Sequence, residues 1–426
     1  MSANLKKDHQ FIWHPYTQMS AADHICIVKG EGAYLFDERG NKYIDIVSSW
    51  WTNLHGHAHP HIVQKIAAQA SQLEHVIFAG FTHPTAIELG ERLLNHLPAN
   101  QKKIFFSDDG STAVEVALKM AIQFWNNQAE KRTNVIAFKN GYHGDTFGAM
   151  SIGERGIFNQ PFHDLLFDVI FIDAPISGNE TASLQQLQFA INNDSSSIAC
   201  FIFEPLVQGA GGMLMHDPEA LNELVSICKQ HHILTIADEV MTGFGRTGKF
   251  FACDYLSQKP DIFCLSKGLT GGFLPMSVTT CTEEIFNAFL SEKNAAFNKT
   301  FYHGHSYTAN PLGCAAALAS LDLMEETTTQ KNIQRIVSKH ATFRKQIAVN
   351  PKVLEARQCG TILAIELQTP EGSSYTSEVR DTIYNFFMSR GIIMRPLGNT
   401  LYLMPPYCIP DTDLDYIYSS IKDFLK

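Results

Sequence analysis

The chain has 426 residues, 45% of them hydrophobic and 18% charged, with a formal net charge of −10 at pH 7. Such a composition is ordinary for a globular protein of two or three domains with a large core. The negative balance and the lack of any lysine/arginine block exclude nucleic acid as a partner, and no apolar run reaches membrane length. The nine cysteines are an odd number, scattered and without a C-x-x-C pair. Those in apolar runs, Cys200 and Cys264 among them, read as reduced buried thiols. No hydrophobic signal region opens the chain, so a cytoplasmic protein is expected.

In chain order, the first predicted element is a hairpin over 32–45 with a polar turn at E38-R-G-N41. Too short to fold alone, it should pack on the C-terminal domain or on a partner subunit. H55-G-H-A-H-P-H61 resembles a metal cluster, yet its spacing fits neither a helical His pair nor a finger and acids are missing, so no metal is expected.

From about Ile104 to Thr280 strand-like runs alternate with helical ones, the pattern of a mostly parallel α/β sheet flanked by helices. Strands are predicted at 104–107, 135–138, 169–172, 198–203, 233–237 and 262–265, and helices at 112–125, 221–228 and 312–324. Past Glu325 a polar helix, a strand over 361–367, a helix over 377–387 and a segment over 392–404 indicate a smaller α/β domain with an antiparallel element. The expected division is 1–55 as an N-terminal segment packing with the small domain, 56–325 as the large domain and 326–426 as the small one.

The chemistry-bearing residues gather at predicted strand ends. After the first strand comes D108-D-G-S-T-A-V-E115, where Gly110 permits a tight turn and Thr112 with Glu115 would make a capping box. Free N–H groups at Gly110 and Ser111 then form an anion site suited to phosphate, although this segment taken alone reads better as an ordinary capped helix start. After the next strand, Tyr142 can stack on a flat cofactor, with His143 and Asp145 available for polar contacts. Gln208 follows a further strand, Arg246 lies in a polar loop, and Gly304, His305, Ser306 and Thr308 precede a small-residue helix. Asp238 and Lys267 each close a buried apolar run, and in open α/β sheets ligands bind at those carboxyl ends. An acid and an amine in one crevice suit pyridoxal phosphate, the amine joining the cofactor's aldehyde and the acid holding its ring nitrogen protonated. A plain buried ion pair is the competing reading of the two residues alone.

Taken together, D238-E-V-M-T-G-F-G-R-T-G248 with S266-K-G-L-T-G-G272 resembles the class III, ω-amino-acid type aminotransferases of pyridoxal-phosphate fold type I, over about Trp13 to Tyr407. Within that class, H14-P-Y-T-Q-M19, S48-S-W-W51, G141-Y-H-G-D-T-F-G-A-M-S151, E204-P-L-V-Q-G-A-G-G-M213 and R395-P-L-G-N-T-L-Y-L-M-P-P-Y407 resemble one branch. That branch carries an amino group from S-adenosylmethionine to 8-amino-7-oxononanoate in biotin biosynthesis.

The resemblance implies that Lys267 and Asp238 are catalytic, with Tyr16 beside them. It places Gly110, Ser111 and Tyr142 around the cofactor, and has His305 and Ser306 of one subunit reach the phosphate of the other in a homodimer. Tyr16, Trp50, Trp51, Tyr142, Gly304, Arg395 and Tyr402 fall in the substrate pocket. If S48-S-W-W51 is extended, its indoles point to opposite faces, and Trp50 is the better candidate for substrate contact. Arg395 offers a bidentate donor for the far carboxylate of the acceptor. Ser306 and His305 replace the threonine and proline of some relatives, and Asp109 replaces a serine. The alternatives are another ω-aminotransferase of the ornithine, γ-aminobutyrate or diaminobutyrate type, and lysine as donor to the same acceptor. A transcriptional regulator would need a DNA-binding domain for which the short N-terminus leaves no room, and a dead scaffold would not keep Lys267, Asp238 and the phosphate loop.

Overall fold

The computed structural model describes residues 2–21, 23–292, 297–370 and 379–426. It is an α/β fold built on a seven-stranded sheet. From one edge to the other the strands are Gln101–Ser107, Ser277–Thr282, Ile262–Leu265, Leu234–Asp238, Ile198–Phe203, Asn134–Phe138 and Ile170–Ile172. Only Ser277–Thr282 runs against its neighbours. The predicted strands are all present, and the antiparallel one was missed. S277-V-T-T-C-T282 lacks the bulky apolar run that marked the others, and Thr279 and Thr280 are buried nonetheless. Thr279 Oγ1 donates to the Ala113 carbonyl (2.8 Å) and Thr280 Oγ1 to Gln101 Oε1 (2.7 Å), so the hydroxyls are satisfied inside the core.

Burial explains why the central strands read as unbroken apolar sequence. All six residues of Ile198–Phe203 are inaccessible, as are all four of Ile262–Leu265, because helices cover both faces. The helix Gly110–Asn127 lays Ala113, Val114, Ala117 and Ala121 against the sheet. The helix Pro311–Glu325 is rich in alanine and buried along nearly its whole length, which lets Pro60–Ala70 and Pro84–His96 approach closely.

The hairpin Tyr34–Asp37/Lys42–Asp45 forms as predicted, and its second strand pairs in parallel with Ile392–Ile393. An antiparallel sheet of Val353–Cys359, Ile362–Leu367 and Thr400–Leu403 occupies the C-terminal part. The helix predicted over 377–387 is found as Val379–Met388, and its first two predicted residues lie outside the described ones. Among the described residues no helix is long and apolar enough to cross a membrane.

Candidate active site

The register of the two central strands brings the acid and the amine together. Asp238 pairs with Cys264, so Lys267 follows on the next strand at the same carboxyl end. Lys267 takes a left-handed backbone (φ 45°), a conformation that a non-glycine residue holds only where its surroundings impose it. The two residues line a cleft of about 660 Å³ together with Gly110, Ser111, Tyr142 and Trp51.

The cleft floor is a buried charge network. His143 Nδ1 lies 2.7 Å from Asp238 Oδ2, and Asp238 Oδ1 accepts the Val240 amide at 3.1 Å. Burial disfavours charge on His143, but the hydrogen bond to Asp238 together with the negative charges of Asp238 and Glu204 outweighs this and holds its pKa above the ordinary value. Glu204 accepts the amides of Tyr142 (3.0 Å) and Gly209 (2.9 Å), and burial pushes its pKa up to about 7. Burial also lowers the pKa of Lys267, which favours the neutral amine needed for nucleophilic and base chemistry.

The anion cradle forms with a different cap from the one predicted. Asp109, not Thr112, is the N-cap of Gly110–Asn127. Its carboxylate accepts the Thr112 amide at 3.0 Å, and Thr112 Oγ1 accepts the Asp109 amide at 3.1 Å. The sequence S/T-x-x-E suggested a box one turn later, but Glu115 is engaged elsewhere, accepting from Gly148 N (2.7 Å) and Ala149 N (3.0 Å) at the next short helix. Asp109 therefore serves the helix. Ser111 Oγ meets Thr146 Oγ1 at 2.8 Å. A Cβ at Gly110 would lie 2.7 Å from Val240 Cγ1, and one at Gly144 (φ 133°) would lie 2.2 Å from Ser111 Oγ, so both close approaches require glycine.

S48-S-W-W51 is not extended. It forms a single distorted turn in which Ser48, Ser49 and Trp51 all have positive φ (50°, 58° and 67°). Asp45 holds the turn by accepting the amides of Ser49 (2.7 Å) and Val47 (3.2 Å), and Ser48 Oγ donates to the Met404 carbonyl at 2.7 Å. The indoles diverge all the same. Trp51 is 5% exposed, lies beneath Lys267 with Nζ 4.8 Å from its ring, and donates Nε1–H to Tyr402 Oη at 3.0 Å. Trp50 is 39% exposed and faces Arg395, whose guanidinium sits 4.1 Å from its ring, with Tyr16 edge-on at 5.6 Å. Tyr16 in turn hydrogen-bonds Asp145 and approaches Tyr142 Oη at 3.4 Å, linking this aromatic cluster to the cleft.

Lys267, Asp238, Gly110, Ser111, Tyr142 and Trp51 thus share the cleft, and Tyr16, Trp50 and Arg395 join it through Tyr142. Tyr402 is buried behind Trp51. Gly304 and Ser306 stand on an exposed loop away from the cleft wall of their own chain, while His305 Nδ1 lies 3.8 Å from Asp108 Oδ2. The histidines of 55–61 diverge: His55 bonds Ser320, His57 bonds Asp45 and His61 bonds Asp322.

The chain matches the family described as Aminotransferase class-III over residues 16–425. It belongs to the class III aminotransferases. It is 48% identical to the adenosylmethionine-8-amino-7-oxononanoate aminotransferase of Synechococcus elongatus, over 98% of this chain and 99% of that protein. The crystal structure of the enzyme of that name from Methanocaldococcus jannaschii superposes with a TM-score of 0.93 at 38% identity, covering 99% of both chains. An amine transaminase from an uncultivated Pseudomonas species, solved in its PLP-bound form, gives a TM-score of 0.90 at 30% identity over 97% of each chain.

As a class III aminotransferase the chain is a pyridoxal-phosphate-dependent transaminase. The residues present fit that cofactor: a helix N-terminus opened by Gly110 for the phosphate, a carboxylate at Asp238 and a desolvated amine at Lys267. Two further residues of this site were not assigned a role in the sequence. Glu204 sat unremarked at the end of its strand, and the signal was an acid directly after a fully apolar run. Arg246 is 1% exposed and donates to the Pro405 carbonyl at 2.9 Å and to the Trp51 carbonyl at 3.4 Å, which fastens the tryptophan turn from below.

Proposed function

We propose that this transaminase moves the amino group of S-adenosylmethionine to 8-amino-7-oxononanoate, giving 7,8-diaminononanoate for biotin. The relatives named for that reaction match the chain along its whole length. The observation that carries the reading is the stack of Arg395 on Trp50 beside Tyr16. A half-buried guanidinium flanked by aromatic faces suits an acceptor with a long apolar chain ending in a carboxylate. Tyr16 offers a flat face for the adenine of the donor. Short ω-amino acids would leave this aromatic wall unfilled.

Pyridoxal phosphate, when bound, holds the amino group between the two half-reactions and draws electron density from the substrate carbon. With that cofactor in place, Lys267 Nζ would be its anchor and the base that moves the substrate proton. Asp238, one oxygen of which is held by His143 Nδ1, would be the partner of the cofactor's ring nitrogen. Tyr142, anchored through its amide by Glu204, would cover the ring face. Trp51, buried beneath Lys267, excludes water from that side of the proton transfer.

In the same reading, residues 1–55 pack with a small domain of 326–426 around a large domain of 56–325, and the enzyme is cytoplasmic. S-adenosylmethionine should bleach the visible absorption of the bound cofactor, 8-amino-7-oxononanoate should restore it, and lysine should do neither. A charge-assisted hydrogen bond contributes about 1.5–3 kcal/mol, so Arg395→Ala should raise the acceptor KM by about 10–150-fold and leave the donor half-reaction intact. Bleaching by lysine overturns the donor, and failure of the oxo-acid to restore the colour overturns the acceptor.

The enzyme is proposed to work as a homodimer with shared sites. The support is Gly304 and Ser306, which are exposed and line no part of the cleft of their own chain, on a loop whose His305 lies 3.8 Å from Asp108 at the cleft edge. Lys267→Ala and Ser306→Ala subunits, each impaired alone, should regain part of the activity when co-refolded, through sites that combine the two intact halves. A monomer that stays fully active on dilution would sink the shared site.

A further inference from the structure

The N-terminal helix Ala3–Phe11 carries Asp8, and the chain then folds back so that His14 and His24 meet it. His14 Nε2 lies 3.0 Å from both carboxylate oxygens of Asp8, and His24 Nδ1 lies 3.0 Å from Oδ2. The imidazole centroids are 3.9 Å apart, and the three donor atoms all fall within 4.8 Å of one another. Side-chain exposures of 30%, 26% and 22% for His14, Asp8 and His24 leave an approach from solvent.

We propose that Asp8, His14 and His24 bind one zinc ion, with water in the fourth position. Two imidazoles and a carboxylate are a donor set that zinc takes, and tetrahedral bonds of about 2.0–2.2 Å place ligand atoms about 3.3 Å apart, close to the spacing found. Each oxygen–nitrogen pair needs to open by only a few tenths of an ångström to admit the ion. A divalent ion between the two rings would take each imidazole as a neutral ligand.

The position gives the ion a task. Tyr16, which lies between the two histidines along the chain, reaches Asp145, Tyr142 and Trp50. An ion joining both ends of that stretch to the first helix closes it covalently in effect and reduces the freedom of the segment that walls the substrate. Sequence spacing could not show this, because D8-x5-H14-x9-H24 matches no established ligand pattern.

The test uses untagged holoenzyme, dialysed against chelator and titrated calorimetrically with zinc chloride. One ion per chain is expected. Substitutions around a metal site, outside its ligands, already cost about 10–100-fold in affinity, so Asp8→Asn and His24→Gln should each weaken binding at least about 100-fold. His231→Gln, at the half-buried end of the helix Pro218–Gln230, should leave it unchanged. Both site variants keep hydrogen-bonding capacity, and their cofactor content and metal-free melting should equal those of the parent. Amide exchange over 12–24 should slow on adding zinc to the parent and not to His24→Gln. Absence of stoichiometric uptake, or uptake that survives both variants, overturns the site.

Discussion

Lys267→Ala is expected to abolish turnover while the protein still folds and retains part of its cofactor. Its side chain is the only lysine lining the cleft among the described residues, so no neighbour can take over. General acid–base catalysis contributes about 10²–10⁴-fold, and the loss of the covalent anchor adds to this, so the rate should fall by at least about 10⁴-fold. The phosphate cradle at Gly110 and Ser111 and the face of Tyr142 are untouched, which is why the cofactor should remain dialysable yet detectable. Absorbance after gel filtration and a single-turnover assay measure the two effects separately. Turnover near that of the parent would remove Lys267 from the mechanism.

Asp238→Asn should show the opposite balance between rate and content to a lost phosphate contact. Asparagine keeps the shape, its single oxygen can still accept from the Val240 amide, and its NH2 can donate to His143 Nδ1 in the other tautomer, so the fold and cofactor content should hold. What disappears is the negative charge facing the ring nitrogen. A carboxylate beside a cation shifts a pKa by about 1–3 units, so losing it should cost about 10–10³-fold in rate. The bound cofactor's absorption should titrate at lower pH than in the parent. A variant that loses cofactor in proportion to activity would make Asp238 structural.

The strand ends were legible because the physics there is local. Ile198–Phe203 and Ile262–Leu265 are buried on both faces, so their sequence had to be continuously apolar, and the first polar residue beyond marks the rim of the sheet. Asp238, Lys267 and the loop at Gly110 could therefore be found from the sequence. The antiparallel strand Ser277–Thr282 escaped because its threonine hydroxyls find partners that only the folded chain provides. The helix cap was misplaced by one turn for a related reason. Thr112 and Glu115 satisfy the sequence rule, but Glu115 is recruited by the amides of Gly148 and Ala149, far along the chain.

The tryptophan pair separates the two kinds of information most sharply. Sequence determined that two indoles would sit next to each other near a strand end, and an extended backbone would have put them on opposite faces. Only the tertiary structure decided the turn with positive φ at Ser48, Ser49 and Trp51, since such conformations cost energy that a local sequence does not repay. Asp45, Met404, Tyr402 and Arg246 hold it, and three of these lie far away along the chain. The same holds for the Arg395–Trp50 stack and for His14 and His24 closing on Asp8. Strand identity follows from the periodicity of neighbouring residues, whereas these contacts depend on the relative placement of distant segments, which is set by the packing of the whole core.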